Sequence, residues 1–222
     1  MRVQWYGQSA FHLSTANTSV AIDPFGDLSA LTGRGMQFDY PPIADIEAQL
    51  LLVTHEHADH NGVEAIGGDP TILRSTAGRL ESPIGEITAI ASEHDEQAGT
   101  ARGPNTIFVF ELDALRVCHF GDFGQSALRD EQAAAIGQID LLFIPVGGGP
   151  TIGAEGAHAV VERLRPSWVV PMHYRTPRIG FLETAEEFLG GCAAVHRLPG
   201  PAFDTAELPV SDGSLTVVPA AP

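Results

Sequence analysis

Cysteine is nearly absent: Cys118 and Cys192 are the only two in 222 residues, too few for a disulfide framework, and both read as free thiols among apolar neighbours. Basic residues are scarce, 12 against 28 acidic, for a formal charge of −16. This balance argues against an electrostatic grip on nucleic-acid phosphates or an anionic membrane, and leaves most of the excess as a solvated acidic surface. No apolar run approaches the ~20 residues that cross a bilayer, and residues 1–5 lead into strand-like sequence without the basic segment and apolar core of a secretory leader. A cytoplasmic chain with neither nucleic acid nor membrane as partner is the expectation. Internal repeats and linkers are lacking too, and with 44% hydrophobic residues the chain reads as a single domain over 1–222.

What is present is a patchwork of short elements. Residues 3–6, 10–13 and 19–22 are β-favouring runs separated by Gly7, Asn17 and Thr18, which predicts an antiparallel meander ended by Asp23-Pro24-Phe25. Residues 26–42, with three glycines and two prolines, predict a long surface loop roofing a site. An apolar strand at 50–54 runs into a polar turn at 55–61, expected to enter a short helix reaching about Ile66 and stopped by Gly67-Gly68. Further strands are expected at 71–74, 87–91, 106–112 and 115–120. Beyond Gly121, strand and helix alternate. A helix carries Leu128, Gln132, Ala135 and Ile136; a buried strand covers 139–146; a second helix has the stripe Ala157, Val160, Val161, Leu164. A strand at 168–172, a helix near 184–189 and strands at 193–198 and 215–218 follow. Two β-rich halves whose helices can pack only on the outer faces predict an α/β fold, a four-layer αββα sandwich.

The chemistry is concentrated in His55-Glu56-His57-Ala58-Asp59-His60. With 9 His and 13 Asp in the chain, chance gives His-x-His-x-Asp-His with a likelihood on the order of one in a thousand. Neutral imidazole suits zinc and related first-row metals, and a carboxylate adds the negative charge that helps hold a dication. Leaving a strand end in extended conformation, His55 and His57 can point the same way toward one ion, while Asp59 and His60 turn toward a second. A plain polar helix cap would need none of the three histidines.

Later residues recur in a matching order: His94 in Ser92-Glu93-His94-Asp95, Asp122 in His119-Phe120-Gly121-Asp122, and His173 in Pro171-Met172-His173-Tyr174. On these residues the chain resembles the metallo-β-lactamase superfamily. Its likeness within that group is to the ascorbate-6-phosphate lactonase branch, carried by the segments 5–11, 22–25, 102–106 and 145–148. The resemblance implies the αββα sandwich of that superfamily and two divalent cations, Zn2+ first, with Mn2+ or Fe2+ as alternatives. By it, His55, His57 and His94 hold one cation, Asp59, His60 and His173 the other, and Asp122 bridges both. The same branch commonly has Gly-His-Ser where this chain has Gly7-Gln8-Ser9, and glutamine cannot shuttle a proton.

The implied activity is hydrolysis by a metal-bridged hydroxide of a small ester, lactone or phosphoester, with Asp59 or Asp122 taking the released proton. A phosphodiesterase on small phosphodiesters is one alternative. An iron-dependent oxidoreductase or dioxygenase is another, although di-iron members of the superfamily carry glutamate at the position of His57, and Glu56 is one residue out of register. Asp23, closing a strand before Pro24, is read as a carboxylate that orients a ligating imidazole. Asp95 is open between that role and none. His119 is read as a packed, hydrogen-bonded residue, and His12, His158 and His196 as structural. Arg102, Tyr174, Arg175 and Arg178 are either a clamp for an anionic small-molecule substrate or an ordinary solvated loop. Gly147-Gly148-Gly149 lacks the Lys-Ser/Thr ending of a phosphate loop and is read as letting backbone pass close to the cleft. A homo-oligomer is left open.

Overall fold

A computed structural model describes residues 1–32 and 36–222. Three strands open the chain as an antiparallel meander: β1 (Arg2–Gly7), β2 (Ala10–Ser14) and β3 (Ser19–Ile22). The expected loop follows, with one short helix, α1 (Ser29–Thr32); its residues 33–35 lie outside the described residues. Then come β4 (Ile46–Glu47), β5 (Leu50–Val53), β6 (Ile66–Gly67) and β7 (Thr71–Arg74). The antiparallel run β8 (Gly78–Ser82), β9 (Gly85–Glu93), β10 (Pro104–Leu112) and β11 (Leu115–His119) precedes the alternating half. That half comprises α2 (Asp130–Ile136), β12 (Leu141–Pro145), α3 (Ala154–Leu164), β13 (Trp168–Met172), α4 (Glu186–Gly190), β14 (Val195–Arg197), β15 (Ala202–Asp204) and β16 (Leu215–Val218).

Two sheets result. Six strands run in the order β15-β1-β2-β3-β5-β7, and eight in the order β14-β16-β13-β12-β11-β10-β9-β8. Strand periodicity explains how they face each other, because alternate side chains leave opposite faces. Val3, Trp5, Phe11, Leu13, Leu50 and Leu52 join the large core that also contains Phe108, Phe143 and Val170. Ala10, Ala21, Leu51 and Val53, from alternate positions of the same strands, turn to the outer face and meet Phe25, Leu28, Phe38, Tyr40 and Ile43 from the loop. This is why β5 is apolar at every position: both of its faces are covered. The outer layer over the six-stranded sheet is therefore built mainly of irregular chain packed by its own aromatics, whereas the helices α2 and α3 belong to the eight-stranded side. Along α3, Ala154, Ala157 and Val160 are buried, with Val161 and Leu164 packed at the margin, as the stripe requires.

Three expectations need correction. The helix expected after the histidine-rich turn is a single 3-10 turn at Val63–Ala65 that passes at once into β6. The chain there lies so close to the Phe25–Gly26 backbone that a Cβ on Gly62 would stand 2.1 Å from the Gly26 nitrogen, leaving no room for a regular helical turn. Strands β8 and β15 were not foreseen. Each lies at or beside an exposed sheet edge, so the burial that gives a strand its apolar signature is largely missing. Among the described residues, no helix is long and apolar enough to cross a membrane.

Phe143 of β12 ties the two sheets, its ring 4.4 Å from that of Phe11. Phe143→Ala is expected to destabilise the fold by about 3–5 kcal/mol, read as a lower urea midpoint at unchanged denaturant slope.

Candidate metal centre

All seven residues singled out by the motif and its sequels come together at one edge of the sandwich. His55, His57, Asp59 and His60 leave the end of β5; His94 follows β9, Asp122 follows β11 and His173 follows β13. The topology makes this convergence inevitable. β9 and β11 are both antiparallel to β10, and β12 and β13 run parallel to β11, so the ends of β9, β11 and β13 share one edge.

At the centre is Asp122 Oδ2. It lies 3.2 Å from His94 Nε2, 3.2 Å from His173 Nε2, 3.3 Å from His60 Nε2 and 3.9 Å from His55 Nε2. His55 Nε2 stands 3.0 Å from His57 Nδ1, and His60 Nε2 stands 3.6 Å from Asp59 Oδ2. Three overlapping groups could each hold a cation: His55, His57 and His94; Asp59, His60 and His173; and, drawing on both, His55, His60 and Asp122. Imidazole nitrogens on one tetrahedral zinc sit about 3.3 Å apart, given Zn–N bonds of about 2.0–2.1 Å, so the spacing suits such an ion. So does the burial. His60 is fully buried, yet its Nε2 has no hydrogen-bond partner and faces the cluster.

The ring orientations are set from behind. Asp23, fully buried at the end of β3, accepts a hydrogen bond from His60 Nδ1–H at 3.0 Å and two from Thr54, from its backbone N–H and its hydroxyl, each at 2.7 Å. Because the Thr54 hydroxyl spends its only proton on Asp23, the contact with His55 Nδ1 at 3.1 Å must be donated by the imidazole. Both His55 and His60 are thus held with Nε2 directed at Asp122, the second partner of the kind commonly found behind ligating imidazoles. Asp122 is fixed in turn. Its backbone N–H donates to Asn105 Oδ1 at 3.0 Å, and its Oδ1 accepts from the Ser9 hydroxyl at 3.3 Å. His119 accepts from the Gly121 N–H at Nδ1 and therefore donates Nε2–H to the Ser9 carbonyl, locking the β1–β2 turn to the loop that carries Asp122.

The electrostatics follow from the crowding. Burial and the neighbouring imidazoles of His60 and His94 push His55 far below the usual imidazole range, and burial followed by His94 lowers His57. His60 goes the other way: burial opposes its charge, but the carboxylates of Asp122, Asp59 and Asp23 outweigh it and raise its pKa well above normal. For Asp122 burial opposes ionisation, and the His173 and His60 rings overcome it, holding the carboxyl far below its usual range.

Other expectations sort plainly. Asp23 fills the orienting role. Asp95 does not: its two oxygens accept backbone N–H groups from Gln97, Gly99, Ala101 and Arg102, which folds a loop. His119 is a packed, hydrogen-bonded residue, and His158 Nε2–H donates to the Phe188 carbonyl at 2.9 Å in the α3–α4 contact. Glu56 points away to Arg74, Asn61 and Ser75, and the Arg74 guanidinium holds its carboxyl down at about 2. Of the four residues read as either a clamp or a solvated loop, Arg102 lines an open groove. Tyr174 is buried against Trp5, while the Nε–H groups of Arg175 and Arg178 are bonded to the Leu182 and Pro222 carbonyls. Gly147 passes so near the strand end that a Cβ would meet the His173 carbonyl at 2.2 Å, as read from its sequence. Thr54, Ser9 and Asn105 were not assigned roles; the one available signal was a polar residue directly beside a ligand candidate or a strand end.

Residues 2–173 match the beta-lactamase superfamily domain, and the chain belongs to that superfamily. More narrowly, it is 30% identical to a UPF0173 metal-dependent hydrolase of Thermococcus kodakarensis, over 79% of this chain and 85% of the relative. It is also 30% identical to one from Thermus thermophilus over 79% and 84%. A crystal structure of a candidate Zn-dependent hydrolase of the metallo-beta-lactamase superfamily from Thermotoga maritima superposes with a TM-score of 0.77 at 26% identity, covering 99% of both chains.

Two outcomes are expected. Asp23→Asn removes the charge behind His60 and should lower metal affinity 10- to 100-fold in competition with a chelating dye, with the circular-dichroism spectrum kept. The pH dependence follows from His60, whose raised pKa means that it carries a proton at neutral pH which a cation must displace. His55, pushed down, carries none to lose. Apparent affinity should therefore climb as pH rises from the usual imidazole range toward the raised value of His60. Calorimetry in buffers of different ionisation enthalpy should record about one proton released at His60.

Proposed function

We propose that the protein is a metal-dependent hydrolase that holds two divalent cations and cleaves a small ester, lactone or phosphoester. The observation that carries this reading is the single buried oxygen, Asp122 Oδ2, common to two groups of ligand-type side chains. His55, His57 and His94 would hold one cation, Asp59, His60 and His173 the other, and Asp122 both; zinc suits an imidazole-rich set best, with manganese or iron as alternatives. Bound there, the cations would supply Lewis-acid polarisation and lower the pKa of a coordinated water.

The side chains have separate tasks. Asp122, with its Oδ1 occupied by Ser9 and its backbone by Asn105, is rigid and suited to bridging. Asp59 is about one-fifth exposed and so has access to solvent, which makes it the better candidate to take up a proton released in attack. His57 is exposed and stands at the mouth of the cluster. Through the loops that follow His94, Asp122 and β12 runs an open groove of about 750 Å³ lined by Glu96, Glu155, Glu183 and Glu187 with Arg102 as its one cation. That lining supports a small substrate with at most limited negative charge and speaks against polyanions. The orientation of Glu56 toward Arg74, away from the cluster, supports hydrolysis over a di-iron oxidation centre.

Protein purified without added metal should contain close to two equivalents by elemental analysis, and lactones, esters and small phosphodiesters should be screened with zinc or manganese. His57→Ala should lose metal from the first group and at least 100-fold in turnover. Full metal content together with full turnover in that variant would rule out the assignment.

A further inference from the structure

Asp59 accepts one hydrogen bond among the described residues, from Gln8, and its only other polar neighbour there is the His60 ring, whose Nε2 stands 3.6 Å away. The Gln8 Nε2–H donates to Asp59 Oδ2 at 3.5 Å, a long hydrogen bond. The residue has no exposed surface, and its Oε1 has no partner. A buried carboxamide with one end unpaired does not serve packing, since an apolar side chain of the same length would fill the space without losing a hydrogen bond to water.

Backbone geometry adds to this. Gln8 adopts a left-handed φ of 47°, a conformation in which glycine, asparagine or aspartate would form the β1–β2 turn more readily. Turn chemistry alone therefore does not account for a glutamine. Its carbonyl accepts from the Trp5 indole N–H at 3.0 Å and from the His173 backbone N–H at 3.3 Å, so the residue is pinned between the inter-sheet core and the loop that carries His173. A side chain rooted on one β-sheet thus reaches a carboxylate that leaves another strand end of the same sheet, beside a residue from the opposite sheet.

We propose that Gln8 is a positioning residue for the second cation: it aims the Asp59 carboxylate at the space shared with His60 and His173. This rests on the two-cation reading above. The first group, His55, His57 and His94, does not depend on Gln8, so the two equivalents should respond differently when it is altered.

The test is a titration of metal-free protein with Zn2+ against a chromophoric chelator, comparing the unaltered chain with Gln8→Met, which keeps length and bulk but has neither donor nor acceptor. The second equivalent should bind 10- to 100-fold more weakly and the first unchanged, with the melting temperature of the metal-free protein preserved. In an Asp59→Ala background the same substitution should change nothing further. Should Gln8→Met fail to fold, Gln8→Asn, one methylene too short to reach Asp59, carries the same expectation. Unaltered affinity for both equivalents, equal weakening of both, or additivity with Asp59→Ala would each overturn the role of Gln8. Uptake of only one equivalent by the unaltered chain would overturn the two-cation reading itself, and is seen before any substitution is made.

Discussion

One oxygen atom, Asp122 Oδ2, has ring nitrogens of His55, His60, His94 and His173 within 3.9 Å of it, and the geometry around it governs the molecule. A carboxylate buried this deeply is tolerated only beside positive charge. Four imidazoles so close together cannot all be protonated, because each added proton raises the cost of the next. Side chains alone favour a proton on His60, between three carboxylates, while His55 and His57 are driven toward neutrality. Such a group is built for charge brought from outside, and a dication meets the requirement better than a proton because several lone pairs can share it.

Holding those lone pairs convergent is the task of the fold. The six-stranded sheet supplies the motif from β5 and the buried Asp23 from β3; the eight-stranded sheet supplies His94, Asp122 and His173 from three strands pointing the same way. Neither sheet can complete the cluster. The β1–β2 turn reaches across through Ser9 to Asp122, and His119 reaches back to the Ser9 carbonyl, so the closure of the sandwich and the assembly of the site are one event. The inter-sheet core of Trp5, Phe11 and Phe143 lies close to this junction and gives it a rigid base.

Legibility in the sequence followed the same division. Ligand-type residues were readable because the motif packs three histidines and an aspartate into six positions, and because His94, Asp122 and His173 each stand just past an apolar run. Core strands were readable because burial imposes apolar composition, most completely on β5 and β12. Edge strands β8 and β15 escaped because one free edge relaxes that demand. The outer layer of loop escaped too, since nothing local in residues 36–43 says that Phe38, Tyr40 and Ile43 pack against strands rather than form a helix. Residues behind the ligands are the hardest case: Thr54 matters through its two hydrogen bonds to Asp23 and Asn105 through the one it accepts from Asp122, and no periodicity marks them. The burial of Tyr174 is a related case, since adjacency to His173 in sequence does not stop it from turning into the core.

The side chains also limit where a nucleophile can come from. The sequence has no lysine, all 12 of its basic residues being arginine, so no side-chain amine is available for a Schiff base. Cys118 is fully buried, and burial drives its thiol far above its usual range, away from the reactive thiolate. The two hydroxyls bonded into the cluster, Ser9 and Thr54, are buried and direct their protons at Asp122 and Asp23, carboxylates that fix the ligands instead of activating an attacking oxygen. Neither hydroxyl of the cluster is thus arranged as a covalent nucleophile. Among the described residues, His57 and Asp59 are the least buried members of the cluster, so solvent reaches it from their side.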